Sequence, residues 1–306
     1  MEEFPVHADD VSIRSLTRAD ELAWVMDLQS LICGDQNEWQ IPFYTLVDLV
    51  RNGGQVLAAF EGKLLVGFLI AFLGTDSRDP HRPAMANLKL VLDRIAVHPD
   101  YRGTGVATQM ALRLRDIAIR QGIRLVTYAF DPLESREAYL LIRKLGAIVK
   151  RFSPDFYGVP AHDAIVPPLT TDRCLAEWWV THNRVEERLF GQRGNLGLGQ
   201  YLDAGTPILN PSEVVSDSDL VRPFSELVMV PGNSMFLIEV PADYAAISLA
   251  DEALARTWQQ HIRDALLTIM PNGYVITDFI YEVYEERQRA FYLLSYDGPR
   301  LTISLS

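Results

Sequence analysis

Cysteine is almost missing. Cys33 and Cys174 are the only two in 306 residues, too few for a disulfide framework and without metal-ligand spacing around them, so no metal site is expected. Long apolar runs are missing as well: the longest, Leu64 to Leu73, is too short to cross a bilayer. The N-terminus, Met-Glu-Glu-Phe-Pro, has neither the basic nor the apolar region of a signal peptide. A soluble, cytoplasmic protein with no membrane partner is the expectation. Positive charge is scarce, with 28 Lys and Arg against 40 Asp and Glu and a net charge of −12. That balance excludes a general nucleic-acid binder, because a phosphate backbone needs a basic face.

What is present is ordinary globular composition, 48% hydrophobic and 22% charged, over a length that suggests two domains. The charge is unevenly placed. Arginines 94, 102, 113, 115, 120 and 124 stand against Asp100 and Asp116, a local +4 that leaves −16 for the remainder. A solvated helix face explains this segment, and so does a site for a compact polyanion.

Apolar periodicity divides the chain into elements. Val11 to Leu16 alternates like a strand, and Thr17 with Asp20 has the spacing of a capping box before a helix carrying Leu22, Val25 and Leu28. Pro42 opens a second helix, and Glu61-Gly62-Lys63 is a turn between the runs Gln55 to Phe60 and Leu64 to Leu73. A strand from Leu88 to Val97 ends at His98-Pro99. The spacing of Val106, Met110, Leu114 and Ile117 predicts a helix over 104–121. A strand (123–130), a helix (134–145), an extended segment (147–156), a loop with Pro160, Pro167 and Pro168, and a strand (174–180) complete a mixed α/β domain, 1–182.

From Asn183 to Pro223 the pattern is weak, and Gly191, Gly194, Gly197 and Gly199 read as a loop. Beyond it come a strand (236–240), a helix (253–270) and an antiparallel pair (274–284, 290–296), a second, smaller α/β domain over 183–306. Its strand-Pro-helix-strand order repeats that of Leu92 to Phe130, as in a degenerate second half that has lost its glycines.

The informative stretch is Arg102-Gly103-Thr104-Gly105-Val106-Ala107-Thr108 between a strand and a helix. Two glycines let successive amides turn toward one point, and the helix start adds orphan N–H groups and a favourable dipole. A pyrophosphate is the expected guest. A Rossmann fingerprint does not fit, because His98 to Arg102 separate strand and glycines and Thr108 stands where a third glycine belongs. A P-loop does not fit either, lacking Lys-Ser/Thr.

This motif resembles the Arg/Gln-x-x-Gly-x-Gly/Ala signature of the GNAT-type N-acyltransferases. The preceding Leu92-Asp93-Arg94-Ile95-Ala96-Val97-His98-Pro99 is similar to that superfamily's fourth strand, and Arg143-Lys144-Leu145-Gly146-Ala147 to the end of its closing helix. The order of elements agrees from Val11 to Val180. The resemblance implies acetyl-CoA or another acyl-CoA as cosubstrate. Arg102, Gly103, Thr104, Gly105, Val106 and Ala107 would then hold the pyrophosphate, with Thr108 as a side-chain contact. Ile95, Ala96 and Val97 would offer main chain to the pantetheine arm and the developing oxyanion. It implies direct attack by a small amine or amino acid in a ternary complex, with no nucleic acid involved; a homo-oligomer stays open.

The acid and base depart from the family pattern. The position where a tyrosine donates a proton is Ile142; Tyr139 lies three residues earlier on the same expected helix face, and Ser135 stands nearest the usual asparagine. Asp93 is a candidate base, with Glu134 and Asp131 as alternatives. Phe130-Asp131-Pro132-Leu133, with Arg136 and Arg143, resembles a subgroup with a C-terminal extension linked with amino-acid N-acylation, including succinyl transfer. Arg136 and Arg143 would then be forks for a carboxylate. The rival reading is a non-catalytic CoA-binding sensor or scaffold.

Overall fold

The computed structural model describes residues 11–34, 40–76, 83, 87–158, 171–191, 194–215, 220–224, 226–228 and 232–298. The segment with Pro160, Pro167 and Pro168 lies outside them. The chain is mixed α/β and forms two compact units, one of 1–128 with 179–182, the other of 129–178 with 183–306. The second is the longer, and 129–178 counts with it, unlike the division expected near His182.

In the first unit the sheet order is β1 (Val11–Ser15), β2 (Gln55–Glu61), β3 (Leu64–Thr75), β4 (Leu88–Val97), β5 (Leu125–Phe130), with β5 contributing its residues as far as Tyr128. The first four strands are antiparallel to their neighbours, and β5 is parallel to β4. Helices α1 (Ala19–Cys33) and α2 (Phe43–Arg51) cover one face, burying Leu22, Val25, Leu28 and Leu46 with Val56, Ala58, Phe60, Phe68 and Ile70. Helix α3 (Val106–Arg120) packs on the same strands and buries Val106, Met110, Leu114 and Ile117, the expected stripe. Thr17 does not cap α1. The helix starts after Arg18, whose guanidinium holds the Asp20 carboxylate and takes it away from any capping box.

The second unit contains α4 (Ser135–Ala138), continued by a π-helical turn (Tyr139–Lys144), and a sheet of order β7 (Arg173–Trp179), β6 (Ile148–Ser153), β11 (Tyr274–Tyr284), β12 (Arg287–Tyr296), β10 (Met235–Val240). The stretch from Asn183 to Pro223 holds α5 (Asn183–Leu189), α6 (Leu198–Asp203) and a ribbon of β8 (Ser212–Val214) and β9 (Val221–Pro223). These elements are too short for a periodicity to emerge, and Gly197 and Gly199 mask α6. Leu198 and Tyr201 of α6 pack on Leu237, Ile280, Phe291 and Leu293. After α7 (Tyr244–Ala250), α8 (Glu252–Ile269) buries Trp258, Ile262, Leu266 and Ile269.

The C-terminal repeat matches a different segment from the one expected. β4 and β5 are direct neighbours, whereas β12 lies between β10 and β11. The order strand, proline, helix, then two antiparallel strands instead equates β10, Pro241, α7–α8, β11 and β12 with β5, Pro132, α4, β6 and β7. The two repeats meet at β6 and β11 and exchange hydrogen bonds near their prolines. Tyr292 Oη donates to the Pro132 carbonyl at 2.7 Å, and Ser135 Oγ to the Pro241 carbonyl at 2.8 Å.

Candidate functional site

The site in the first unit begins with a fault in β4. Ile70 faces Arg94 and Ala71 faces Leu92, so Asp93 is an extra residue, a β-bulge. The parallel ladder to β5 stops at Leu92 opposite Tyr128, one residue before it. From the bulge to Val97, β4 pairs with β3 alone among the described residues. His98 N–H bonds the Val66 carbonyl at 2.8 Å, and strand alternation then turns Ala96 toward β3 and Ile95 and Val97 toward the unladdered edge. The Val97 carbonyl there accepts from Arg102 Nε at 3.4 Å.

Asp93 is exposed at this bulge. Desolvation raises its carboxyl pKa, and the charge of Arg94 pulls the other way.

A single 3-10 turn, Pro99–Tyr101, joins β4 to the glycines. His98 Nδ1 accepts from Asp100 N–H at 3.3 Å, and Tyr101 Oη bonds the Glu61 carboxylate at the end of β2. That bond pushes the Tyr101 pKa up to about 12 and ties the turn to the sheet. Gly103 and Gly105 follow with φ of 83° and 97°, left-handed values that carry a penalty for any residue with a Cβ. Gly105 is the N-cap of α3. The amides of Gly103, Gly105, Val106, Ala107 and Thr108 have no hydrogen-bond partner among the described residues, and the position of a Gly103 Cβ meets nothing within 4 Å. The helix start therefore carries orphan donors.

Thr104 departs from expectation. Its hydroxyl donates to the Tyr101 carbonyl at 2.7 Å and its amide lies 3.5 Å from the same oxygen, so it braces the turn and offers no free donor. The arginine-rich segment is also dispersed. Arg102 alone stands on the loop, Arg115 Nε donates to the Val180 carbonyl at 2.8 Å, and Arg120 ends a helix that has risen about 20 Å by then.

One residue that the sequence reading missed is Gly67 in β3. A Cβ there would meet Met110 Cε at 3.0 Å, the Ala96 carbonyl at 3.1 Å and Val106 Cγ1 at 3.2 Å. Gly67 lets the first turn of α3 lie directly on β3 and β4. Its signal was a glycine inside an otherwise apolar strand, which often marks a close approach of another element.

The remaining candidates lie in the second unit. Glu134 and Arg136 are exposed at the start of α4. Tyr139 is half-buried, its ring 5.9 Å from that of Tyr281 and under Lys144 Nζ at 5.6 Å. It does not share a face with the buried Ile142, because the segment is π-helical and the three-residue spacing of an α-helix does not apply. Arg143 is not a free fork. It is buried, with Nη1 on Asp278 at 2.8 Å and Nη2 on the Leu196 carbonyl at 2.7 Å. The Ser135 hydroxyl is likewise taken by Pro241.

Asp131 accepts from Leu133 N–H at 2.9 Å, with Arg173 at 3.9 Å. Desolvation raises its pKa to about 6, although 29% exposure of the side chain lets solvent temper that shift. No cluster of His, Cys, Asp and Glu suited to a metal occurs among the described residues, and no described helix is long and apolar enough to cross a membrane.

The site therefore comprises a strand with a bulge, a turn with two left-handed glycines and a helix start with orphan amides. Residues 20–146 match the acetyltransferase (GNAT) family model. Among solved structures, it is similar to an N-acetyltransferase from Staphylococcus aureus Mu50, with 18% identity, 56% of this chain and 98% of that one covered, and a TM-score of 0.42. A GNAT family acetyltransferase from Elizabethkingia anophelis with acetyl-CoA bound gives 15%, 56%, 99% and 0.40. An aminoglycoside acetyltransferase from an uncultured soil metagenomic sample gives 16%, 42%, 83% and 0.35. No curated protein matches the sequence.

Proposed function

We propose that the protein transfers an acyl group from acyl-CoA, acetyl-CoA first among the donors, to the nitrogen of a small amine or amino acid. The observation that carries this reading is the row of unpartnered amides at Gly103, Gly105, Val106, Ala107 and Thr108. Backbone donors at a helix start suit a pyrophosphate, with Arg102 as the nearby cation. The edge of β4 at Ile95 and Val97 suits the amide groups of a pantetheine arm.

Acyl-CoA would supply a thioester carbonyl open to attack. The amine nitrogen forms the C–N bond as the C–S bond breaks, and main-chain N–H groups near Ile95 to Val97 face the oxygen that gains charge. Asp93 takes the proton released by the attacking amine, directly or through water. The departing thiolate takes a proton from water. Arg143, engaged by Asp278 and the Leu196 carbonyl, is not proposed as a substrate contact.

Thiol release from acetyl-CoA and succinyl-CoA, measured across a panel of amines and amino acids, tests this reading. Release that depends on the amine and falls about 10²-fold or more in Asp93→Asn is expected. The buried, apolar Ile142 at the family's acid position favours a second reading, a CoA-binding sensor or scaffold. Binding of acyl-CoA with no release for any amine would establish that alternative.

A further inference from the structure

In the first unit, an open cleft of about 270 Å³ is bordered by Trp24, Asp27 and Leu31 of α1, by Lys63 and Leu64 at the β2–β3 turn, and by His98. It would hold about nine waters, the room of a small metabolite. Residues 24, 27 and 31 form one stripe of α1, adjacent to the stripe of Leu22 and Val25 that enters the core. An outward stripe is ordinarily polar, yet Trp24 is 42% and Leu31 55% exposed, and Leu64 in the same cleft is 51% exposed. Trp24 is held in place, its ring edge-on to Phe60 at 5.7 Å and capped by the Arg14 guanidinium at 5.9 Å. Apolar side chains gathered around a concavity, with a few polar groups between them, are the usual make-up of a ligand site.

The polar groups indicate the ligand. Asp27 and Lys63 have opposite charges and border one cleft, but neither has a hydrogen bond or ion pair with any described residue. His98 Nδ1 accepts from Asp100 N–H, which leaves Nε2 as the ring's donor. An anion, a cation and a ring N–H donor around an apolar wall complement a dipolar ion with an apolar body.

We propose that this cleft binds a free α-amino acid with an apolar side chain, of the leucine or phenylalanine kind. Asp27 takes its ammonium, Lys63 and His98 its carboxylate, and Trp24, Leu31 and Leu64 its side chain. The proposal does not depend on acyl transfer, and it is tested without acyl-CoA. Titration calorimetry on the full chain should show binding of leucine and phenylalanine. Leucinamide, which lacks the carboxylate, and 4-methylpentanoate, which lacks the ammonium, should bind about tenfold or more weakly. Asp27→Asn should weaken leucine about tenfold and leave 4-methylpentanoate unchanged, at an unaltered melting temperature. Lys63→Gln should weaken leucine and spare leucinamide. No heat from leucine at millimolar concentration, or wild-type leucine affinity in a folded Asp27→Asn, overturns the proposal. Acyl-CoA affinity is read separately through Gly105, so a negative result here leaves the reading of the glycine loop standing.

Discussion

Arg143 and Arg188 share the Asp278 carboxylate at 2.8 and 3.1 Å in the interior of the second unit, and Arg188 also reaches the Asn195 side chain. Two buried cations on one anion make Asp278 the member whose loss is least tolerable. Asp278→Ala should cost about 3–5 kcal/mol in denaturant unfolding, because uncompensated guanidinium groups remain inside. The sequence offered Arg143 as a basic residue three positions before a glycine, a description that suits a substrate fork as well. Only the long-range partner, 135 residues away, separates the two, and no local pattern encodes it. Asp131 makes a prediction in pH. Its folded pKa, about 6, lies above the ordinary value of 3.8, so the folded state retains a proton that the unfolded chain releases between them. The stability tied to that proton is complete below pH 3.8 and is lost as pH rises through the folded value. Asp131→Asn should therefore melt like the wild type below about pH 4 and at a higher temperature above about pH 6. A constant difference across that range would contradict the assignment.

At the scale of elements, the seating of α3 on β3 decides whether the glycine loop can be formed at all. Gly67→Val would push side-chain carbons into Met110, Val106 and the Ala96 carbonyl, all 3.0–3.2 Å from where its Cβ would begin. Overpacking of that kind costs about 1–3 kcal/mol, and it would lift the N-terminus of α3 away from β4. Both a lower melting temperature and weaker acyl-CoA binding are expected. Helices with one continuous buried stripe, such as α3 and α8, are legible in the sequence because period and burial coincide over several turns. The bulge at Asp93 is not legible, since Leu92 to Val97 reads as an unbroken strand and only the register with β3 exposes the extra residue. The π-helical turn at Tyr139–Lys144 is hidden for a related reason, because nothing in Tyr-Leu-Leu-Ile-Arg-Lys distinguishes it from an ordinary α-helix.

At the scale of the whole molecule, the segment from Ala129 to Trp178 depends on the residues after it. Arg263 of α8 binds Asp155 at 2.8 Å and Asp172 at 2.6 Å, Tyr292 bonds the Pro132 carbonyl, and Asp278 neutralises Arg143. A chain ended at His182 leaves all of these groups unmatched and should be insoluble or unfolded, despite including the whole family match over 20–146. The division at 182 followed the end of the expected strand series, but the hydrogen bonds and ion pairs cross it. The glycine turn and the helix start after it, by contrast, were legible because they lie in consecutive residues. The acyl-transfer reading rests on the amides of Gly103, Gly105, Val106, Ala107 and Thr108 receiving the pyrophosphate of acyl-CoA. Titration calorimetry of acetyl-CoA into the full chain and into Gly105→Val is the test. A β-branched residue cannot adopt φ of 97° without a cost of about 1–2 kcal/mol, and it disturbs the first turn of α3. Saturable, one-to-one binding by the wild type is expected, with its loss in a variant that remains folded. Absence of binding by the wild type, or equal affinity in the two proteins, would contradict it.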